Sequence, residues 1–282
     1  MIESPTLIQS RSVALHYDDL DHFYRQIWGE HLHHGLWTEG NESVETAVRQ
    51  LSHLVAKCAH VSAGQTVGDI GCGYGATSQL LADEYGANVI GVTISSAQYE
   101  IANQRSSARG QLRFRLMDWL ENDFEDESFD SLIAIESTEH MIDKERVFRE
   151  AFRVLKKGGH FVICAWCSSE IPSSWQRKFL LEPICAEGRL PQLLSPGEYL
   201  NLGRLVGFKQ NESDDLSKHV ARTWLATLTR TVRHFATHPT DLVDLASGRV
   251  GSSDFTASLA RIALAYKLGA MNYALLRFTK PT

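Results

Sequence analysis

The sequence contains no long apolar run and no strong excess of either charge. No window approaches the roughly 18 uninterrupted apolar residues of a membrane-spanning helix. The first residues, MIESPTLIQSRS, lack the charged and apolar segments of a secretion signal. The formal net charge of -6 gives no broad basic field for binding phosphates. We therefore expect a cytoplasmic protein with no nucleic-acid partner and no integral association with a membrane.

Cysteine is scarce, and its spacing does not indicate a disulfide framework or a metal site. The chain of 282 residues has five cysteines, an odd number in a protein too large to need disulfides. Cys164 and Cys167 form a C-x-x-C motif inside the strand-like run FVICAWC, so we interpret them as buried thiols. The clustered His31, His33 and His34 lack accompanying thiolates or spaced carboxylates. We predict no metal ion.

Short β-rich runs alternate with helical stretches through the middle of the chain. TVGDI, NVIGVT, LRFRL, SFDSLIAIE and HFVICAW predict five strands. ATSQLLADEY, AQYEIANQRSS and KERVFREAFRVL predict helices between them, the last one ended by KKGG. This order implies a parallel sheet with helices on both faces, because parallel strands need crossover connections. NYALLRF predicts a last strand that pairs back into the sheet.

A glycine-rich loop, VGDIGCGYGA, follows the first predicted strand and precedes a helix. Gly71, Gly73 and Gly75 permit positive φ and let a ligand approach the backbone, while the helix N-terminus offers free N–H groups. The same spacing satisfies the dinucleotide motif G-x-G-x-x-[GA]. Asp69 favours S-adenosylmethionine over NAD, because a carboxylate would repel a pyrophosphate and attract an ammonium group. The alternative role for Asp69 is loop capping without a ligand.

The ends of the second and third predicted strands carry further candidates. The segment GVTISSAQ lacks the acidic residue that usually binds the two hydroxyl groups of a ribose. Thr93 and Gln98 could form hydrogen bonds with these hydroxyl groups instead. Ser95 and Gln98 also have the spacing of a helix capping box. After the third strand, Asp118 could accept from an adenine amino group and the indole of Trp119 could flank the ring. Asp118 and Trp119 could instead have purely structural roles, without contact to a ligand.

The fourth predicted strand ends in IAIESTEHM, which places Glu136, Glu139 and His140 at the same sheet edge. Ligands of open α/β sheets bind outside the carboxyl ends of the strands, so Glu136 lies where a proton would be taken. His140 suits proton removal from oxygen or nitrogen, because the unperturbed pKa of histidine is near neutrality. Glu139 and His140 could instead cap or orient the next helix.

These motifs together resemble the class I S-adenosylmethionine-dependent methyltransferases. VGDIGCGYGA, GVTISSAQ, MDW and IESTEHMIDKERVFREAFRVLKKGG are similar to the branch containing tocopherol, sterol and isoprenoid C-methyltransferases and cyclopropane fatty acid synthases. IWGEHLHHGLW, AWC and FTKP resemble that branch as well, so the resemblance covers nearly the whole chain. It is specific for the cofactor and weak for the acceptor. Histidines replace a pre-core cysteine of the cyclopropane synthases, which argues against their bicarbonate-assisted chemistry.

The resemblance implies an α/β fold class with a Rossmann-like, seven-stranded, mostly parallel sheet and helices on both faces. It places an N-terminal helical lid at residues 1–60, the cofactor-binding core at 61–168, and a helical cap with the final core strands at 169–282. We expect the cap to form the pocket for a small hydrophobic acceptor. The large apolar residues available for that pocket are Trp175, Phe179, Trp224, Phe235, Phe255, Tyr266 and Met271. Homo-oligomerisation stays open.

The resemblance also implies roles for individual residues toward S-adenosylmethionine, the methyl donor. The glycine loop would hold its methionyl end, the second strand end its ribose and the third strand end its adenine, and the N-terminal lid would cover it. The predicted cofactor-binding residues are Tyr17, His33, His34, Asp69, Gly71, Cys72, Gly73, Thr93, Ile94, Gln98, Asp118, Trp119 and Ile135.

The reaction that the sequence favours is C-methylation of an isoprenoid or prenylated aromatic natural product. Methyl addition would leave a carbocation, from which Glu136 would remove a proton; Glu136 resembles the acid at this strand end in isoprenoid C-methyltransferases. The alternative is O- or N-methylation of a secondary metabolite with His140 as the base. More remote alternatives are an NAD-dependent reductase and a non-catalytic protein that binds S-adenosylmethionine.

Overall fold

The computed structural model describes residues 1–238 and 254–282. Part of the predicted C-terminal cap, residues 239–253, therefore lies outside the described residues, as does the side chain of Phe255. Within the described ranges, no helix is long and apolar enough to cross a membrane.

Seven strands form one sheet, and two short strands pair separately. The strands are β1 (Ile2–Glu3), β2 (Thr66–Ile70), β3 (Asn88–Thr93), β4 (Leu112–Leu116), β5 (Phe129–Ile135), β6 (Leu155–Ser168), β7 (Gln192–Leu193), β8 (Lys209–Asp215) and β9 (Met271–Thr279). The sheet order is β4-β3-β2-β5-β6-β9-β8, and β1 pairs with β7. Strands β2 to β6 are parallel, whereas β9 runs antiparallel to β6 and β8. This arrangement confirms the predicted α/β class with a mostly parallel, seven-stranded sheet.

Helices precede, alternate with and follow the parallel strands. They are α1 (Ser10–Asp19), α2 (Asp21–Ile27), α3 (Val44–Cys58), α4 (Ala76–Tyr85), α5 (Ser96–Ala102), α6 (Lys144–Val154), α7 (Ser174–Gln176), α8 (Glu182–Glu187), α9 (Pro196–Val206), α10 (Ser217–Val220), α11 (Arg222–Thr237) and α12 (Asp254–Lys267). A π-helical turn, Arg177–Leu181, joins α7 to α8. Short 3-10 turns follow β4 and β5.

Three local predictions were wrong. The helix predicted through Ser107 ends at Ala102, and Arg105 instead turns back to donate to the carbonyl of Tyr74. The strand predicted as HFVICAW begins earlier, at Leu155, directly after α6 ends at Val154, and Gly158 adopts a positive φ within this strand. Strand β8, KQNESDD, lies in a region predicted to be mainly helical. Because β8 lies at the edge of the sheet, its residues are mostly polar. The strand therefore lacks the alternation of apolar and polar residues by which a strand is predicted from sequence.

The sheet separates two apolar layers. Leu132 and Ala134 of β5 face a layer that includes side chains of α6 and α9. Ile133 and Ile135 face the opposite layer, which includes side chains of α3 and α4. The alternation follows from the two-residue period of a strand. Helices on both faces therefore hold β5 rigidly up to its carboxyl end.

The strand register brings the functional segments to one edge. Asp69 of β2 lies beside Gly91 of β3 and Ile133 of β5. Because these strands are parallel, the residues that follow them, including the glycine loop, Thr93 and Glu136, meet at the same carboxyl edge. This edge carries the candidate site.

We expect Phe148→Ala to destabilise the fold strongly. Phe148 of α6 is fully buried, and its ring centroid lies 5.7 Å from that of Phe161 and 5.0 Å from that of Phe278. Loss of the ring should lower the free energy of unfolding by about 3–5 kcal/mol in a urea titration. Leu205→Ala on α9 is the control, because Leu205 is 71% exposed and should change it by less than about 0.5 kcal/mol. Equal effects of the two substitutions would contradict this core assignment.

Candidate active site

Three adjoining cavities open at the carboxyl edge of the sheet. The loop cavity, about 330 Å³, lies against the glycine loop. The central cavity, about 710 Å³, lies over the ends of β3 and β5. The outer cavity, about 900 Å³, is enclosed by N-terminal and C-terminal segments. The loop and central cavities share the lining residues Leu32 and Gly71, and the central and outer cavities share Tyr17, Glu136 and His140. A ligand in the central cavity would therefore lie next to both of the other cavities.

All but one of the predicted cofactor-binding residues border the loop or central cavity. They are Tyr17, His33, Asp69, Gly71, Cys72, Gly73, Thr93, Ile94, Gln98, Asp118, Trp119 and Ile135.

The glycine loop forms one wall of the loop cavity, and the surrounding structure leaves no room for a side chain at Gly71. Gly71 has a φ of 76°, and a Cβ there would lie 2.3 Å from the Cβ of Ser137. Gly73 also has a positive φ and borders both cavities. Glycine is the residue that adopts these angles without steric cost.

Asp69 lies at the end of β2 with its carboxyl group buried in the loop cavity. Burial raises its pKa to about 6, while the hydroxyl of Ser78, which donates to Oδ2 at 2.5 Å, acts in the opposite direction. The carboxylate has no cationic side chain among its hydrogen-bond partners in the described residues. It is therefore suited to accept from a ligand ammonium group.

A chain of imidazoles forms the opposite wall of the loop cavity. Nδ1 of His33 donates to the carbonyl oxygen of His34 at 2.8 Å, so its Nε2 is the hydrogen-bond acceptor. Nδ1 of His31 lies 3.2 Å from that Nε2, which makes His31 the donor of this pair. Burial, then the neighbouring His33, Arg105 and Arg49, lower the pKa of His31 to about 2. His31 is therefore neutral and borders the cavity together with Asp69, although the sequence did not predict it as a site residue.

The ends of β3 and α5 place a neutral polar pair in the central cavity. The hydroxyl of Thr93 donates to Oε1 of Gln98 at 2.8 Å, and both residues are buried. Ser95 alone caps α5 by accepting from the backbone N–H of Gln98 at 3.1 Å. The side chain of Gln98 therefore points to Thr93 rather than completing a capping box. Its amide group retains donors for a ribose.

Asp118 and Trp119 also border the central cavity, but their side chains have structural partners. Oδ1 of Asp118 accepts from the backbone N–H of Leu120 at 2.9 Å. Trp119 is 2% exposed, and its indole N–H donates to the carbonyl oxygen of Val147 at 3.5 Å. The indole thus belongs mainly to the apolar core, and the predicted contact with adenine is limited to its cavity-facing edge.

Glu136 is the most constrained residue at the end of β5. Its φ of 51° lies in the left-handed region, which costs free energy for a residue with a Cβ. Oε1 accepts from the backbone N–H of His34 at 2.6 Å and from the hydroxyl of Tyr273 at 2.7 Å. Oε2 accepts from the indole N–H of Trp166 at 3.0 Å, and Nδ1 of His34 lies 2.9 Å from both oxygens. Burial acts to raise the pKa of Glu136, but His34 outweighs it and the pKa is lowered.

The structure places His34, one of the predicted cofactor-binding residues, away from all three cavities. His34 is fully buried and borders none of the three cavities. Its ring instead pairs with Glu136 and is surrounded by aromatic side chains. These are Trp28, Trp166, Trp224, Tyr266 and Tyr273, with ring centroids 4.8–6.5 Å from that of His34. His34 is therefore a positioning residue for Glu136.

His140 occupies the boundary between the central and outer cavities. Its Nδ1 lies 3.2 Å from the carbonyl oxygen of Arg189, which can only accept, so Nδ1 carries the proton. Its Nε2 lies 3.0 Å from the hydroxyl of Tyr17 and accepts from it. Burial lowers the pKa of His140 to about 4, although the bond to the Arg189 carbonyl opposes this shift. His140 is thus a neutral imidazole whose lone pair faces the cavity boundary.

The outer cavity contains a buried carboxyl group that the sequence did not predict as a site residue. Glu139 borders this cavity and is 2% exposed. Burial raises its pKa to about 7, while the backbone N–H of Trp166, which donates to Oε1 at 2.6 Å, lowers it. The motif IESTEHM carried the signal, but its position also suits a helix cap. Only the tertiary packing shows that Glu139 faces the cavity.

The remaining wall of the outer cavity is aromatic and acidic. Of the cap residues considered from sequence, Trp224 borders this cavity, whereas Trp175 and Phe179 lie on the surface. No lysine or arginine is among its described lining residues. They are His16, Tyr17, Leu20, Tyr24, Trp28, Leu32, Glu136, Glu139, His140, Trp166, Glu187, Gly188, Leu190, Trp224, Ser258 and Ile262.

No group of three or more His, Cys, Asp or Glu side chains that could hold a metal ion occurs in residues 1–238 and 254–282.

Comparison with known proteins identifies relatives that match nearly the whole chain. A family model described as mycolic acid cyclopropane synthetase matches residues 6–273. The chain is 29% identical to the chloroplastic tocopherol O-methyltransferase of Arabidopsis thaliana, over 96% of this chain and 82% of that protein. It is also 29% identical to the 27-O-demethylrifamycin SV methyltransferase of Amycolatopsis mediterranei (strain S699), over 94% of this chain and 95% of that protein.

A solved structure shows the same fold. Mycolic acid cyclopropane synthase complexed with SAH and CTAB superposes with a TM-score of 0.81 at 20% identity, covering 96% of this chain and 98% of that one.

We expect the affinity for S-adenosylhomocysteine to fall as the pH is lowered through about 6, because protonation of Asp69 removes the charge that would attract the ligand ammonium group. Isothermal titration calorimetry between pH 5 and pH 8 measures this. In Asp69→Asn the affinity should be lower, and its dependence on pH in this range should disappear. An identical pH dependence in Asp69→Asn would show that another group is responsible.

Proposed function

Because the chain belongs to the mycolic acid cyclopropane synthetase family and is an S-adenosylmethionine-dependent methyltransferase, we propose that it methylates a hydroxyl oxygen of a neutral, largely apolar small molecule. His140 is the general base in this proposal. The observation that carries it is the Tyr17–His140 hydrogen bond at the boundary of the central and outer cavities. In that bond, Nε2 of the neutral imidazole accepts from a hydroxyl group, so an acceptor hydroxyl could bind at the same place.

S-adenosylmethionine supplies a methyl group on a sulfonium, and we assign its parts to the loop and central cavities. Asp69 and the neutral His31 offer acceptors to the ammonium group. Thr93 and Gln98 offer polar groups to the ribose, and Asp118 offers an acceptor to the adenine. This placement puts the methyl group near the boundary with the outer cavity, where Tyr17 and His140 lie.

The occupied oxygens of Glu136 argue against a role as the base. Its carboxylate accepts from the backbone and ring of His34, from Trp166 and from Tyr273. A base needs a lone pair that the acceptor hydroxyl can reach, and displacement of one donor, the Tyr17 hydroxyl, frees Nε2 of His140, whereas Glu136 would have to lose several donors. The lowered pKa and the four donors make Glu136 a fixed negative charge instead. It would stabilise positive charge at the boundary between the cavities.

The wall of the outer cavity supports a neutral acceptor. Three carboxyl groups border it, those of Glu136, Glu139 and Glu187. Among the described residues, only Glu187 pairs with an arginine, Arg261, at 2.9 Å. A phosphorylated acceptor would need cationic side chains that the described lining lacks. Trp28, Trp166 and Trp224 provide large apolar surfaces. A hydrophobic alcohol or phenol fits this combination.

In the proposed reaction the acceptor hydroxyl takes the place of the Tyr17 hydroxyl at Nε2 of His140. The acceptor O–H bond breaks and its proton passes to Nε2, while an O–CH₃ bond forms and the C–S bond breaks. The leaving thioether is neutral and needs no acid. The hydrogen bond from Nδ1 of His140 to the Arg189 carbonyl stabilises the resulting imidazolium. The protein contributes alignment, exclusion of water and the base.

A second candidate is C-methylation of an isoprenoid or prenylated aromatic molecule, with Glu136 as the base. The observation that favours it is the fixed negative charge of Glu136 beside the indoles of Trp166 and Trp224. Aromatic faces and a carboxylate can stabilise a carbocation. The two reactions differ in the atom that carries the methyl group and in the residue whose loss stops turnover.

We expect His140→Ala to lower the rate of O-methylation by about 100- to 10,000-fold, which is the usual contribution of a general base. Affinity for S-adenosylhomocysteine should change little, because the base acts on the acceptor. Added imidazole should restore part of the rate. The control is His53→Ala, since His53 pairs with Tyr85 on the surface of α3 and borders none of the cavities. Full activity of His140→Ala would rule out the proposed base.

A further inference from the structure

We propose that an exposed apolar patch beside the outer cavity docks the protein on an anionic lipid bilayer. The patch, called here the docking patch, consists of Ile171, Trp175, Phe179 and Leu268. Their exposures are 92%, 49%, 51% and 45%. The rings of Trp175 and Phe179 lie 6.1 Å apart, and Gln176 donates to the carbonyl oxygen of Leu268 at 3.1 Å. Trp175, Phe179 and Leu268 therefore belong to one surface region, and Ile171 lies four residues before Trp175 in the chain.

The local backbone explains how apolar side chains occupy both faces of this segment. Leu180, Leu181 and Ile184 point inward and pack in a buried cluster. Trp175 and Phe179 point outward across the π-helical turn Arg177–Leu181. The inward side chains fill the buried cluster, whereas about half of each outward aromatic side chain stays exposed. Contiguous exposed apolar surface of this kind marks an interaction site.

Cationic side chains accompany the docking patch. Nζ of Lys178 lies 5.7 Å from the ring centroid of Phe179, and Lys267 is in the last turn of α12, next to Leu268. No ion pair of either lysine is found in the described part of the chain, whereas Arg177 pairs with Glu182 at 3.4 Å. Aromatic residues with flanking lysines suit the boundary between acyl chains and anionic headgroups. The patch thus complements an anionic bilayer although the chain is acidic overall.

The docking patch is next to the wall of the outer cavity. Arg261 of α12 donates to the carbonyl oxygen of Phe179 at 3.1 Å and pairs with Glu187. Glu187 and Ile262 border the outer cavity. Within the described residues, α8 and α12 therefore connect the patch to the wall of the cavity. This step rests on the proposed function, because a hydrophobic acceptor dissolved in a bilayer would then lie close to its cavity.

The size of the docking patch favours lipid over a second copy of the chain. Its two aromatic side chains expose about half of the roughly 150–250 Å² that such a side chain buries. With Ile171 and Leu268 the total is on the order of a few hundred Å². A stable dimer buries about 800 Å² on each partner. The patch is too small for that, but a bilayer needs only a few inserted side chains.

Flotation of the full-length protein with lipid vesicles tests the proposal. We expect binding to vesicles of phosphatidylcholine with phosphatidylglycerol, and weaker binding to phosphatidylcholine alone. The double variant Trp175→Ser, Phe179→Ser should bind at least about 10-fold more weakly, because it removes most of the inserted apolar area. Lys178→Glu should weaken binding only to the anionic vesicles. Leu205→Ser is the matched control, since Leu205 is exposed on α9 outside the patch, and it should bind as the wild type does.

Absence of wild-type binding to the anionic vesicles would overturn the proposal, as would unchanged binding of the double variant. Light scattering that shows a dimer lost in the double variant, with vesicle binding unchanged, would assign the patch to self-association. Circular dichroism shows whether each variant is folded. If the double variant does not fold, Lys178→Glu still tests the proposal through its binding to the anionic vesicles. The assay uses no acceptor and no methyl transfer. Its failure is therefore distinguishable from failure of the proposed O-methylation.

Discussion

The site depends on one buried negative charge, the carboxylate of Glu136. Its donors come from three distant parts of the chain: His34 from the N-terminal segment, Trp166 from β6 and Tyr273 from β9. A buried carboxylate is costly unless hydrogen bonds and a partner compensate it, so these segments must be in place together. The left-handed backbone of Glu136 is held by the same contacts. The N-terminal segment is thereby fixed over the sheet edge, and with it the walls of all three cavities.

The hydrogen bonds of Glu136 distinguish its role from that of His140, although both residues lie in the motif IESTEHM. Glu136 is saturated with donors and holds the architecture, whereas His140 keeps an accepting nitrogen at the boundary between the cavities. Glu139 adds a carboxyl group whose pKa burial raises to about 7. The wall of the outer cavity is acidic and aromatic, and its described residues include no lysine or arginine. These features are the basis of the proposed neutral, apolar acceptor.

The parts of the fold and site that the sequence predicted are those set by local chemistry. The glycine loop, Asp69, and the pair Thr93 and Gln98 lie at the ends of strands whose apolar pattern is unmistakable, and parallel register brings strand ends together. The burial of His34, by contrast, depends on five rings, four of which come from the C-terminal half of the chain. Strand β8 is polar because it forms an edge, so its composition does not distinguish it from a loop. Tertiary contacts decide these features, and no local pattern encodes them.

The most direct test of this account is the position of a transferred methyl group. The purified protein is incubated with methyl-labelled S-adenosylmethionine and a panel of neutral prenylated phenols, terpenoid alcohols and prenyl diphosphates, and NMR locates the label in each product. We expect label on the oxygen of a neutral acceptor and none on the diphosphates. Label on carbon would contradict it, because Glu136 would then act as the base despite its four donors.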